Sequence, residues 1–266
     1  MDSVQQLLQI MKSLRDPDTG CPWDREQDFH SLIPYTIEEA YEVADAIERN
    51  ELNDIKEELG DLLFQIVFYS QLAEEQNAFS FNEVAQVICE KLVRRHPHVF
   101  AEAQISDAAA QSKVWENLKQ EERLQKSVKS SAALSHLDNV SRTLPSLMRA
   151  EKLQKRAART GFDWPDIKGV MDKVYEELEE VQVELSVAEP EVSRLEDEIG
   201  DLFFSCVNLS RHAGVDAEVC LRKANLKFEQ RFRQLEALCQ SKQQALDTLS
   251  ATELEKLWQE VKKQEK

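Results

Sequence analysis

The sequence predicts an all-α protein built from two tandem four-helix modules, and three observations carry that prediction. Apolar residues recur with helical period along nearly the whole chain, and no stretch sustains the alternation of a half-buried strand. Glycine and proline number only six and seven in 266 residues, so the turn punctuation of an all-β chain is scarce. Four features also recur in the same order roughly 140 residues apart. Gly20-Cys21-Pro22-Trp23 parallels Gly161-Phe162-Asp163-Trp164, and Glu38-Glu39-Ala40-Tyr41-Glu42 parallels Glu176-Glu177-Leu178-Glu179-Glu180. Glu58-Leu59-Gly60-Asp61 parallels Glu198-Ile199-Gly200-Asp201, and Glu83-Val84 leading to Lys91 and Arg95 parallels Glu218-Val219 leading to Lys227 and Arg231. An internal duplication follows, with modules at 1–128 and 129–266.

The elements are expected in this order. Val4 to Leu14 is an amphipathic helix closed by the turn-rich run Arg15 to Pro22. Thr36, with Glu38 and Glu39 in the first turn, opens a second helix to about Asn50. Asn53 or Asp54 caps a third, to about Gln76, and Ser80 starts a fourth that ends at Arg95. Ser106 to Lys126 reads as a charged fifth helix, and the small, polar stretch Ser127 to Ser135 as the linker. Beyond it lie helices over Leu144–Arg159, with Gly161 as the C-cap glycine, and over Asp166–Val187. Pro190–His212, stopped by Gly214, then Asp216–Cys239 and Ser250–Lys263 complete the set.

Charge narrows the function classes. Fifty acidic against 33 basic residues give a net charge of −17, which disfavours binding to a nucleic-acid backbone. A small anionic ligand stays open, because a bound metal reverses the local sign. The five cysteines are scattered, odd in number and without a CxxC pair, as expected of a reduced, cytoplasmic protein without a zinc site. The start Met1-Asp2-Ser3-Val4 shows no signal peptide. The longest apolar run, Leu62 to Val67, is too short for a bilayer and is broken by Gln65, so no membrane partner is expected.

The acids carry the chemistry. Residues three or four apart on a helix share a face, so each module offers two carboxylate pairs able to converge. Glu58 and Asp61, like Glu198 and Asp201, sit among apolar residues on nearly every side, which predicts burial, and buried carboxylates need partners. The glycine shared by both Glu-x-Gly-Asp runs suggests close backbone approach there. Oxygen-only ligation favours Mg²⁺, with Mn²⁺ as a substitute. None of the five histidines follows a Glu at the spacing of a di-iron bundle. Lys227 and Arg231, four apart, suit the phosphates of a polyphosphate beside such a cage, and Lys173, four before Glu177, is a weaker candidate. Trp258 reads most simply as core on the last helix, with base stacking as the alternative.

These residues resemble the MazG family of all-α nucleoside triphosphate pyrophosphohydrolases. The Glu-Glu-x-x-Glu and Glu-x-x-Asp pattern, Gly20-Cys21-Pro22-Trp23-Asp24, Arg94-Arg95-His96-Pro97-His98-Val99-Phe100 and the tandem arrangement all carry the likeness. The resemblance implies Mg²⁺-dependent hydrolysis of nucleoside triphosphates to monophosphate and pyrophosphate, a homodimer, and clearance of standard or aberrant nucleotides. It puts the metal ligands at Glu177, Glu180, Glu198 and Asp201, with Glu39, Glu42, Glu58 and Asp61 as a second possible metal site. It puts substrate contacts at Lys227, Arg231 and Trp258. Glu176, beside Glu177, orients or deprotonates the attacking water in this scheme. The alternative is a nucleotide-sensing helical interaction protein in stress signalling, which turnover of a triphosphate would exclude.

Overall fold

The computed structural model describes residues 2–101 and 135–264, so the expected fifth helix at 106–126 and all but the last residue of the 127–135 linker lie outside the described residues. The described residues are helical and contain no strand. The chain divides into two units, Met1–Ser130 and Ser131–Lys266.

In the first unit the helices are α1 (Ser3–Leu14), α2 (Pro22–Glu26), α3 (Ile33–Arg49), α4 (Leu52–Glu75), α5 (Phe81–Arg95) and the single turn α6 (Pro97–Phe100). Gly20 closes the turn after α1, donating to Asp16 O at 2.9 Å. A Cβ at that position would overlap the carbonyl oxygens of Leu14 and Asp16. Ser80 and Glu83 form a reciprocal capping box that starts α5. α3 begins three residues earlier than expected, because Pro34 fits the first turn of a helix. Thr36 is therefore interior: its hydroxyl donates to Leu32 O at 3.1 Å and meets Tyr69 Oη at 2.9 Å. α4 begins at Leu52, so neither Asn53 nor Asp54 is its cap.

α3 and α4 form a tight hairpin, turned by Asn50 in the left-handed region (φ 58°). Arg49 holds the turn through Asp45, Glu51 and Asp54. The core of Met11, Leu32, Val67, Phe68 and Leu72 lies at the far end of α4, against α1. Arg15 pins that end: its guanidinium meets both oxygens of Glu75 at 2.8 and 2.7 Å and lies over the Phe68 ring. Its hydrogen bonds hold the Glu75 carboxyl below the usual range.

In the second unit α7 (Ser146–Ala158), α8 (Ile167–Ser186), α9 (Val192–His212), α10 (Ala217–Ser241) and α11 (Ala251–Gln264) follow, with a 3₁₀ turn at Leu246–Thr248. Asp166 and Asp216 cap α8 and α10 as their side chains predict. Gly161 and Gly214 end their helices with φ of +88° and +73°. α8 and α9 make the second acidic hairpin, and α7 packs on α9, with Gln154 Nε2 donating to Phe204 O at 2.8 Å. α10 and α11 close on Leu235, Cys239, Leu257 and Val261.

Two expectations fail here. The acid-bearing halves of α4 and α9 are not buried: Asp61, Asp201, Leu59, Leu63, Phe203 and Phe204 are all exposed. Each half packs mainly on its hairpin partner, which covers one side only. The repeated glycines do not mark close approach either, since a Cβ at Gly60 or Gly200 would meet nothing within 4 Å.

Candidate functional site

The local fold places the acids. Gly161 turns the chain into a loop whose Asp163 bonds Arg211 and His212 at the end of α9. These partners, Arg211 first, hold the Asp163 carboxyl well below the usual range. Trp164 then lies against Gly169, where a Cβ would strike the indole ring. α8 therefore starts at a fixed position, and Lys173, Glu176, Glu177 and Glu180 follow along one face at spacings of three, four and seven. Across the hairpin, Arg194 meets the buried Glu184 at 2.5 Å. Glu184 is one turn after Glu180 and Arg194 one turn before Glu198, so this ion pair sets the register that brings the acids together.

Glu177, Glu180 and Glu198 each offer an oxygen, all within 4.8 Å of one another. Glu177 is 4% exposed. Its Oε1 meets Lys173 Nζ at 2.8 Å, while Oε2 is buried with no hydrogen-bond donor. The close approach of Glu177, then desolvation and the charges of Glu177 and Glu198, raises the Glu180 pKa. Lys173 also meets Glu176 at 2.7 Å, and the two carboxylates, Glu176 ahead of Glu177, raise the lysine's pKa. Asp201, exposed, is not in the group.

The first hairpin brings together Glu39, Glu58 and Asp61 on the same 4.8 Å scale, and leaves Glu42 outside. Desolvation, followed by the charges of Asp61, Glu42 and Glu58, pushes the Glu39 carboxyl up. Desolvation and then Glu42 and Asp61 do the same to Glu58. Among the described residues no histidine or cysteine joins either group. The donor set in both is carboxylate alone, which suits a hard divalent cation.

Lys227 is exposed and Arg231 half-buried on α10. Between them Phe228 stacks on Phe232 and meets the half-buried Trp258 at 5.5 Å. The structure thus brings Trp258 to the turn of α10 that carries the basic pair, while its helix still contributes to the core. Sequence reasoning missed two supports of the site, the Glu184–Arg194 pair and the Asp163 anchor. The first has no helical spacing to reveal it, and the second, in the alignment of the two halves read from the sequence, falls opposite Pro22.

A model of the MazG nucleotide pyrophosphohydrolase domain matches residues 27–100, which contain the first hairpin. The chain is 49% identical over 265 residues to the nucleoside triphosphate pyrophosphohydrolase of Escherichia coli K12, across 100% of this chain and 99% of that one. It is 42% identical to the nucleoside triphosphate pyrophosphohydrolase/pyrophosphatase MazG of Thermotoga maritima, across 97% and 95%. A nucleoside triphosphate pyrophosphohydrolase of Mycobacterium tuberculosis is 38% identical over 157 residues, 58% of this chain and 44% of that one.

Proposed function

The chain belongs to the MazG family of nucleoside triphosphate pyrophosphohydrolases, and from that premise we propose that it hydrolyses a nucleoside triphosphate to monophosphate and pyrophosphate with Mg²⁺, Mn²⁺ serving as a substitute. One observation carries the reading: the buried Glu177, which converges with Glu180 and Glu198, keeps an oxygen without a donor. An unpartnered buried carboxylate oxygen is unfavourable, and a divalent cation satisfies it. Glu177, Glu180 and Glu198 would hold the metal, with Asp201 completing the set by a side-chain rotation. Glu39, Glu42, Glu58 and Asp61 form a second possible metal site on the same logic.

The metal, when bound, lowers the pKa of a water and withdraws charge from the triphosphate. The chain supplies the rest. Glu176, exposed and held by Lys173 at 2.7 Å, accepts the proton of the attacking water. The water oxygen bonds to the α-phosphorus, the bond from that phosphorus to the bridging oxygen breaks, and pyrophosphate leaves with the electron pair. Lys173, Lys227 and Arg231 offset its charge. Trp258, with Phe228 behind it, offers a ring face to the base.

The exposed apolar rows of both hairpins support a homodimer, since contiguous apolar surface of this kind is normally covered. The free cysteines support a reducing, cytoplasmic setting, and clearance of standard or aberrant nucleotides is the role proposed. Among the described residues no helix is long and apolar enough to cross a membrane.

The test is a panel of standard and damaged nucleoside triphosphates incubated with Mg²⁺, with products resolved. Monophosphate plus pyrophosphate is expected, abolished by chelator. Nucleoside diphosphate plus inorganic phosphate would sink attack at the α-phosphorus.

A further inference from the structure

Lys173 stands one turn before Glu177 and touches two carboxylates, Glu176 at 2.7 Å and Glu177 at 2.8 Å. Glu177 is fixed by burial, whereas the Lys173 side chain is 33% exposed. A lysine ammonium on a flexible four-carbon stem is able to change partners without moving its helix. The duplication supplies an internal comparison. The residue four before Glu39 is Tyr35, an uncharged ring lying 5.6 Å from that of Trp23. α3 forms and brings its acids together without a lysine there. The hairpin scaffold therefore does not require this cation, and what the second cluster gains from it is charge.

We propose that Lys173 is an exchangeable counterion: it neutralises Glu177 in the metal-free protein, yields that carboxylate when a divalent cation binds, and transfers its ammonium to the triphosphate. Metal loading and phosphate capture then form one coupled exchange, which keeps the cluster neutralised between turnovers and places a freed donor beside the substrate when the metal is in place. The first cluster, with Tyr35 at the matched position, lacks this coupling. The proposal rests on the metal-dependent reading above.

The test uses the full chain carrying Glu39→Gln and Glu58→Gln, so that the first cluster does not contribute. Mn²⁺ binding without nucleotide is read by electron paramagnetic resonance. Affinity for a triphosphate with a methylene bridge between the α and β phosphates is then read at saturating Mg²⁺. Removing a resident, partly exposed cation should tighten bare Mn²⁺ binding about threefold to tenfold in Lys173→Met. The same change should weaken the analogue by about tenfold, one charge-assisted contact. Lys173→Gln should repeat both shifts, and Lys173→Arg, which keeps the charge, should not tighten Mn²⁺.

Opposite signs in the two assays support the exchange. Weaker or equal Mn²⁺ binding in both uncharged variants overturns it, as does tighter Mn²⁺ binding with unchanged analogue affinity, which is repulsion without transfer. Absence of Mn²⁺ binding in the parent protein as well would overturn the metal-dependent reading itself, and this proposal with it.

Discussion

Replacing Glu177 with Gln should make the metal-free protein more stable and the enzyme inactive. The carboxylate is 4% exposed, and its Oε2 has no donor. Relieving a buried unsatisfied charged oxygen is worth about 1–3 kcal/mol. Against this stands the lost ion pair with Lys173 at 2.8 Å. Because that lysine is 33% exposed and retains Glu176, the loss is about 0.5–1 kcal/mol. The glutamine amide, placed against Glu180, also donates where the carboxylate repelled. The net is about 1 kcal/mol of added stability without metal, an increase in Tm of about 3 °C for a unit of this size.

Turnover should move the other way. Loss of a central ligand should cost about 3 kcal/mol or more of transition-state stabilisation, over a hundredfold in kcat/KM. Calorimetric melts in EDTA and in Mg²⁺, beside steady-state rates, check both halves. Mg²⁺ should raise the Tm of the wild type and leave that of Glu177→Gln nearly unmoved, because a ligand stabilises only the state it binds. A lower Tm in EDTA, or more than a tenth of wild-type activity, would refute the reasoning.

The raised carboxyls of Glu39, Glu58 and Glu180 contribute stability that is complete below the ordinary value of about 4.3 and lost as pH rises through their folded values. The lowered Glu75 and Asp163 contribute stability present above their own ordinary values, about 4.3 for Glu and about 3.9 for Asp, and lost as pH falls through their folded values. Urea midpoints in EDTA should therefore peak at mildly acidic pH and Mg²⁺ should move the peak toward neutrality; a metal-free curve still rising at pH 8 would contradict this. Gly60→Ala and Gly200→Ala, each facing open space, should add up to about 1 kcal/mol to metal-free stability, while Gly169→Ala should lose about 1–2 kcal/mol against the Trp164 ring; chemical denaturation reads the signs. Glu177→Ala with Glu180→Ala should abolish turnover, and Glu39→Ala with Glu42→Ala should spare most of it, because only the second cluster has Lys173 and the Trp258 helix. Equal losses on every nucleotide would overturn that asymmetry.

Helix boundaries were legible wherever a side chain caps the backbone: Ser80, Asp166 and Asp216 do in the structure what their types and spacing predict. They were misread where another effect dominates. Thr36 looks like a cap, but Pro34 starts α3 earlier and turns the threonine into an interior residue that bonds back four positions. The acid pairs were legible from spacing, and three of each four expected ligands lie together. Their burial was not, because apolar residues around a helix say that its faces want cover without saying that the same chain supplies it. Leu59 and Phe203 want cover and remain exposed. The ion pairs of Lys173 with Glu176 and Glu177 were only half legible, since a lysine four before a glutamate is also an ordinary helix-surface pair.

The acid left outside the close group differs between the clusters, and that difference bears on how a metal would be held. Glu42, on the first helix of its hairpin, stands apart in the first cluster, and Asp201, on the second helix of its own, in the second. Both are exposed, so each is free to rotate. The three acids that do converge are held by different means. In the first hairpin the turn between Arg49 and Leu52 is tight, and Arg49 locks it directly. In the second, the connection from Ser186 to Val192 is longer, and the ion pair of the exposed Arg194 with the buried Glu184 ties the two helices together. Three converging carboxylates in each cluster suit Mg²⁺, which keeps several waters and demands near-octahedral geometry. A site that closed rigidly with all four acids would leave fewer positions for the triphosphate oxygens and the water that the proposed hydrolysis requires.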